Sequence, residues 1–174
     1  MATTETRINT ETVLTVDNLR THFTTRWGTV KAVDGISFDL RRGETLGIVG
    51  ESGCGKSVTM LSLMRLIPIP PGRIVSGSIV LDGEDIVQIS EQEMAQIRGS
   101  KIALIIQDPM TSLNPVFSIG DQVEEAITIH QREIPKRSVM EKALEVLRKV
   151  NIPAAETRAK DYPHQMSGGM RQRV

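Results

Sequence analysis

The 174-residue chain has little of what several classes of protein require. Its single cysteine, Cys54, excludes an internal disulfide and a cysteine-rich metal site, and it suits a reducing compartment. Aromatic residues make up only 3% of the sequence, which leaves few stacking platforms. Lysine plus arginine equals aspartate plus glutamate, at 21 each, so no overall field favours nucleic acid or anionic lipid. Any phosphate binding is therefore expected to be local.

Long apolar segments are also missing. A helix that spans a bilayer needs roughly 20 apolar residues, and the longest candidate, Met60 to Ile69, is interrupted by Arg65 and Pro68. Residues 1–12 are rich in Thr and Glu, which is typical of neither a signal peptide nor a transit peptide and predicts a disordered lead-in. Any membrane link is expected to run through a partner.

The most informative feature is GESGCGKS at Gly50 to Ser57, which fits the phosphate-loop pattern G-x-x-x-x-G-K-[ST]. Before it, Thr45 to Val49 is nearly all apolar and predicts a buried parallel strand. After it, the sequence predicts a helix with Met60, Leu61 and Met64 on one face. This strand, glycine loop and helix are the context that the motif requires; the alternative is a chance glycine turn.

The residue types in this loop suit polyphosphate. Gly50, Gly53 and Gly55 permit positive φ angles, which turn successive N–H groups toward an anion at the start of a helix. Lys56 is expected to reach the β and γ phosphates of ATP, and the Ser57 hydroxyl to bind the Mg²⁺ between them. The predicted nucleotide-binding residues of the loop are Gly50, Glu51, Ser52, Gly53, Cys54, Gly55, Lys56, Ser57 and Val58.

Two later segments carry further candidates. Ile102 to Ile106 predicts a second buried strand that delivers Gln107 to the carboxyl edge of a sheet, where its amide would bind Mg²⁺ and orient a water; a solvated side chain is the alternative. Ser167, Gly168, Gly169 and Met170 stand at a helix start, as a second anion site or as an ordinary cap. Two such sites make sense if each subunit's second site closes on its neighbour's nucleotide.

The remaining pattern is mixed α/β and then helical. Strands are predicted at Val13 to Leu19, Val30 to Leu40 and Gly77 to Leu81, the first two antiparallel. Ser90 with Glu93 predicts a capping box. Helices are predicted at Ile119 to Gln131 and Lys136 to Val150, the second with Val139, Ala143, Leu147 and Val150 along one stripe. The predicted organisation is a lead-in at 1–12, a nucleotide-binding α/β lobe at 13–107 and a helical lobe at 108–174.

These ordered motifs resemble the ATP-binding subunits of ABC transporters from about Val13 onward. GESGCGKS matches the Walker A motif, Gln107 the Q-loop, and Met166 to Met170 the signature, where many members carry Leu and Gln at the two methionine positions. QDPMTSLNP and PHQMSGGMRQRV look like the oligopeptide and dipeptide importer branch.

The resemblance implies a P-loop NTPase core, a mixed sheet with parallel core strands, beside a small antiparallel β subdomain and a helical subdomain. It implies a peripheral ATPase at the cytoplasmic face of the inner (plasma) membrane, whose partners are transmembrane permease subunits and a second, identical or paralogous, ATPase subunit, with no nucleic acid. Catalytic roles fall to Lys56 and Gln107. Adenine would stack on Trp27, with Phe23 as second choice; the alternative for Trp27 is a surface aromatic.

In this family the segment after the Q-loop faces the transmembrane subunits. That segment carries four apolar candidates, which would either make this contact or pack the helical lobe: Met110, Leu113, Phe117 and Ile119.

The family's Walker B strand, catalytic glutamate, D-loop and switch histidine follow the signature. His22, His130 and His164 precede it, so none matches the switch position. A domain incomplete at its C-terminus is therefore expected, which binds ATP without hydrolysing it appreciably and exposes the apolar edges of the two predicted core strands. A nucleotide-binding fragment without activity is the alternative function. A P-loop kinase would leave Ser167 to Gly169 unexplained.

Overall fold

The computed structural model describes residues 11–106, 112–131 and 133–174. The chain divides into two compact units, one ending at Leu104 and the other beginning at Ile105. Each unit has a hydrophobic core of its own.

The first unit is built on an antiparallel sheet with strand order β2-β1-β3-β4. The strands are β1 (Thr12–Thr25), β2 (Gly28–Arg41), β3 (Gly72–Leu81) and the short β4 (Glu84–Asp85). The predicted antiparallel pair is confirmed, and both of its strands are longer than the alternation of apolar residues indicated. Leu14, Val16 and Leu19 of β1 are buried with Ile79 of β3 in the core of this unit.

Two helices complete the first unit: α1 (Lys56–Leu63) and α2 (Glu91–Ile97). The capping box of α2 is confirmed, because Ser90 Oγ accepts from the Glu93 N–H and Glu93 reaches back to the Ser90 N–H. The buried face of α1 matches the predicted one only in part. Met64, at the C-cap, is buried as predicted, but the other buried residues are Thr59, Ser62 and Leu63, whereas Met60 and Leu61 are only half-buried.

The α/β class is confirmed, but the two predicted parallel strands are not formed. Within the part of the chain that the structure describes, Thr45 to Val49 joins no sheet, and Val49 is 93% exposed. Ile102 makes an isolated bridge to Arg98, and Ile105 is 96% exposed. A buried parallel strand needs a ladder of hydrogen-bonded neighbours and covered faces, and beyond the single bridge at Ile102 the described residues supply no such ladder for either segment. Residues 45–49 are exposed throughout and residues 103, 105 and 106 are exposed, but as chain outside any sheet and not as the strand edges that were expected.

The second unit is helical, with α3 (Ile119–His130), α4 (Lys136–Lys149), α5 (Ala155–Arg158) and α6 (Gly168–Arg173), and a 3₁₀ turn at Pro163–Gln165. Three residues of the predicted stripe, Val139, Ala143 and Leu147, are buried in α4, and the fourth, Val150 at the C-cap, is half-buried. No helix among the described residues has the length and apolar character required to cross a bilayer.

The exposed face of α4 carries a local charge cluster. Glu145 lies 2.8 Å from Lys149 and 2.9 Å from Lys142, and the hydrogen bonds from these ammonium groups, that of Lys149 first, lower the pKa of Glu145 to about 2. The cluster is solvated, so its contribution is sensitive to salt.

Candidate phosphate-binding site

The predicted phosphate loop leads directly into α1, so the helix of the predicted context is confirmed, whereas the strand before the loop is not formed. Gly55 is the N-cap of this helix, no side chain caps it, and its first turn contains no acidic residue. The first N–H groups of a helix have no partner within the helix, and they carry the positive end of the helix dipole. This end of α1 therefore offers backbone donors to an anion.

Positive φ angles occur at two of the three glycines that were expected to show them. Gly53 has φ 82° and Gly55 has φ 96°, whereas Gly50 does not have a positive φ. Gly50 is needed for space instead, because a Cβ there would lie 2.5 Å from the sulfur of Cys54. The loop thus uses Gly50 for close approach and the other two glycines for chain reversal.

At Gly55 the loop runs close to the backbone of strand β2. A Cβ on Gly55 would lie 2.3 Å from the carbonyl oxygen of Ala32 in β2. Ala32 stands at a bulge, because the β1–β2 register shifts between the pairs Thr21–Val33 and His22–Lys31. Bulges bend a strand locally, and this one places a carbonyl against the start of α1. The sheet therefore fixes where the loop ends.

Lys56 is held by the loop itself. Its Nζ donates to the carbonyl oxygens of Gly50 and Glu51, each at 2.7 Å, and lies 3.6 Å from the Cys54 sulfur. The ammonium therefore lies within the loop, where its charge complements that of an arriving anion. Cys54 is exposed.

The other predicted residues of the loop lie at its surface or in the first turn of α1. Glu51, Ser52 and Ser57 are exposed, and Val58 is half-buried. Among the described residues, no group of His, Cys, Asp or Glu side chains is arranged to hold a metal ion. Of the two predicted Mg²⁺ ligands, Ser57 is the one that lies within the described residues. Gln107 lies outside the described residues.

The two aromatic candidates have different environments. Trp27 lies at the tip of the β1–β2 hairpin, 82% exposed, with the guanidinium of Arg26 4.1 Å from its ring centroid. Phe23 is half-buried in β1, opposite Gly72 of β3, where a Cβ would approach its ring to 2.7 Å. Trp27 thus presents a free face, whereas Phe23 is packed on one side.

The signature residues lie in the second unit, at the start of α6. Ser167 is its N-cap and accepts from the Met170 N–H at 3.3 Å. Gly168 and Gly169 are exposed, and no atom lies within 4 Å of a Cβ built on either glycine. Met166 is 4% exposed and belongs to the core of this unit, against which Met170 packs. Apolar burial therefore holds the two methionines, while the serine and glycines face solvent.

The four apolar candidates for a contact with transmembrane subunits, which follow Gln107, differ in burial. Ile119 is fully buried and Leu113 packs against the same core, so both serve packing. Phe117 is 51% exposed. Met110 lies outside the described residues.

Sequence reasoning missed the residues that hold α1 in place. The hydroxyls of Thr21 in β1 and Ser62 in α1 are fully buried and lie 2.8 Å apart, and Ser62 Oγ donates to the Val58 carbonyl at 2.7 Å. At the other end of α1, Arg98 donates to the carbonyls of Met64 and Arg65. The available signal for the contact between Thr21 and Ser62 was the presence of two hydroxyl residues, Thr59 and Ser62, on the buried face of a short helix. No local signal points to the contacts that Arg98 makes.

Comparison with known proteins finds relatives among transporter ATP-binding proteins. The ABC transporter family profile matches residues 33–174. The chain is 49% identical over 162 residues to a probable peptide ABC transporter ATP-binding protein of Sinorhizobium fredii, covering 93% of this chain and 48% of that protein. It is 50% identical to the dipeptide transport ATP-binding protein DppD of Bacillus subtilis, covering 94% and 49%.

The chain thus spans about half the length of the curated relatives it matches. Among solved structures, a dimeric ATP-binding cassette in a post-hydrolysis state with ADP and Pi superposes with a TM-score of 0.79 at 24% identity, covering 92% of this chain and 66% of that one. This likeness concerns the fold alone. With its family profile matched over most of its length, the chain belongs to the ABC transporter family.

Proposed function

We propose that this chain forms the ATP-binding part of a subunit that energises the import of peptides or similar small solutes. The observation that carries the proposal is the loop at Gly50 to Ser57, with an uncapped helix start, two positive-φ glycines and an ammonium held inside it. The names of the similar proteins, which refer to peptide and dipeptide transport and to ATP binding, support the solute class.

In this proposal the triphosphate exchanges contacts with Lys56. The ammonium now donates to two neutral carbonyl oxygens at 2.7 Å, and phosphate oxygens would replace them with anionic acceptors, so that both partners of each bond carry charge. The N–H groups from Gly53 to Val58 would surround the β and γ phosphates. The loop therefore fits a polyphosphate better than a single carboxylate.

The proposed metal site uses the Ser57 hydroxyl, which is exposed in the first turn of α1, together with Gln107. Bound Mg²⁺ would neutralise charge that develops on the phosphates. Lys56 would stabilise the same charge from the protein side, and Gln107 would orient the attacking water. The exposed ring of Trp27 favours it over Phe23 as the platform for adenine.

The proposed partners are inferred from membership of the family. We propose that Ser167, Gly168, Gly169 and Met170 contact the nucleotide held by a second ATPase subunit, identical or paralogous. Their support is a solvent-facing serine and glycine pair anchored by two core methionines. Transmembrane permease subunits would be the other partners, at the cytoplasmic face of the inner (plasma) membrane. The exposed ring of Phe117 is a candidate for that contact.

Binding and turnover should be measured on one sample. We expect calorimetry with Mg²⁺ present to give affinities in the order ATP, ADP and then AMP, since the loop grips the terminal phosphates. Lys56→Ala should weaken ATP by at least about tenfold, roughly the loss of one charge-assisted contact. Equal affinities for ATP and AMP would reject the proposal. Binding without phosphate release would select the non-hydrolysing alternative.

A further inference from the structure

The end of α1 opposite the phosphate loop is closed by an unusual turn. After Leu63 the chain reverses, with hydrogen bonds from the Leu66 N–H to the Leu61 carbonyl at 2.8 Å and from the Arg65 N–H to the Ser62 carbonyl at 3.0 Å. Arg65 has φ 50° at the position where such turns prefer glycine. The left-handed conformation is unfavourable for a residue with a Cβ, so contacts of the Arg65 side chain are needed to offset it.

The Arg65 guanidinium binds the segment that leads into α2. Its Nη1 donates to the carbonyls of Ile89 at 2.7 Å and Ile86 at 3.1 Å, and its Nη2 lies 3.4 Å from Glu91. The Arg65 side chain is only 22% exposed. Glycine at this position would relieve the backbone but would remove all three contacts.

Arg98, just after α2, closes the arrangement from the other side. Its Nε donates to the Met64 carbonyl at 2.8 Å, its Nη2 donates to the Arg65 carbonyl at 3.1 Å, and its Nη1 donates to Glu91. The Arg98 side chain is 21% exposed. The pKa of Glu91 is lowered, chiefly by the hydrogen bond from Arg98. We call Arg65, Glu91 and Arg98 the arginine clamp.

The clamp acts on a short, stiff element. α1 has eight residues, so it is about 12 Å long, and a tilt at one end displaces the other. The clamp holds carbonyls at the negative end of the helix dipole, while the loop lies at the positive end. The face of α1 between them is anchored to β1 by the buried hydroxyl pair of Thr21 and Ser62. Fixing the carbonyl end therefore fixes the direction in which the first turn points.

We propose that Arg98, supported by Arg65 and Glu91, is a positioning residue that holds α1 so that Lys56 and Ser57 face the phosphates. This inference rests on the proposed function, because it concerns the same phosphate site. A purely structural clamp would affect the free energy of unfolding alone. A positioning clamp also changes the affinity of the folded protein for triphosphate and the protection of the loop amides.

The test compares Arg98→Met with Arg42→Met in the full chain. Arg42 also pairs with two carboxylates, Glu11 at 3.4 Å and Asp82 at 3.9 Å, so its variant removes the same charge at a different edge of the first unit. Calorimetry with Mg²⁺ and ATP should show about tenfold weaker binding for Arg98→Met, in line with coupling energies carried through packed elements, and a change within about twofold for Arg42→Met. Arg98→Lys should recover part of the loss.

Hydrogen exchange without nucleotide gives a second, independent readout. The amides from Gly50 to Val58 should exchange faster in Arg98→Met than in Arg42→Met. Wild-type affinity together with unchanged exchange in folded Arg98→Met would overturn the inference, as would equal losses in both variants. If the wild type fails to bind ATP, the proposed function fails while the exchange comparison still decides on the clamp. If Arg98→Met does not fold, Glu91→Gln should show the same effects at about threefold, and no effect would overturn the inference.

Discussion

Replacing Gly55 by alanine tests how the sheet fixes the phosphate loop. Alanine would have to adopt φ near 96°, which costs about 1–2 kcal/mol. Its Cβ would also approach the Ala32 carbonyl oxygen to 2.3 Å, so strand β2 or the loop must move, and such overpacking costs about 1–3 kcal/mol. We therefore expect Gly55→Ala to lower the free energy of unfolding by about 2–5 kcal/mol.

Gly53→Ala is the matched control. Gly53 has φ 82°, but no atom lies within 4 Å of a Cβ built there, so only the backbone cost of about 1–2 kcal/mol applies. Urea unfolding followed by circular dichroism should place the Gly55→Ala midpoint clearly below that of Gly53→Ala. Equal midpoints would refute the argument that the bulge at Ala32 determines the residue at position 55.

Three further changes have defined outcomes. Ser62→Ala leaves the buried Thr21 hydroxyl without its acceptor, so it should lower the free energy of unfolding in urea by about 1–3 kcal/mol. Thr21→Val should cost less, because the bond from Ser62 to the helix backbone remains. The reverse order of the two variants would contradict this reading. Two lysines lower the pKa of Glu145 to about 2. The contribution of Glu145 to the free energy of unfolding should therefore be complete above about pH 4.5 and should fade as the pH falls toward 2. If Glu145→Gln shows the same dependence of stability on acid pH as the wild type, this pairing is irrelevant. Cys54 is exposed, and its sulfur lies 3.6 Å from the Lys56 ammonium. Cys54→Ala should therefore keep the affinity for ATP, whereas alkylation of Cys54 should abolish it. Undiminished ATP affinity of the alkylated protein would count against the site.

Local patterns predicted the parts of the fold that local interactions determine. Ser90 and Glu93 form the predicted capping box because both bonds lie within four residues of chain. The helix at Lys56 was predictable from its glycine loop, and the stripe from Val139 to Leu147 from its period. In each case the interaction that stabilises the element is encoded within one short segment.

The features that depend on distant partners were not predictable. Thr45 to Val49 is apolar, but a strand forms only beside another strand, and the described residues pair none with it. The buried Ser62 was hidden because its partner Thr21 is 41 positions away. Arg98 caps a helix that ends more than thirty residues earlier. Even within the loop, Lys56 points to carbonyls of its own backbone, which no motif specifies.

The central claim is that the N–H groups at the start of α1, with Lys56 and Ser57, bind the terminal phosphates of ATP. NMR of the ¹⁵N-labelled chain during titration with Mg²⁺ and ATP tests it most directly. We expect the largest amide shifts at Gly53, Gly55, Lys56 and Ser57, and we expect Lys56→Ala to need at least about tenfold more ATP for the same shifts. Saturable ATP binding that leaves these four amides unshifted would contradict it.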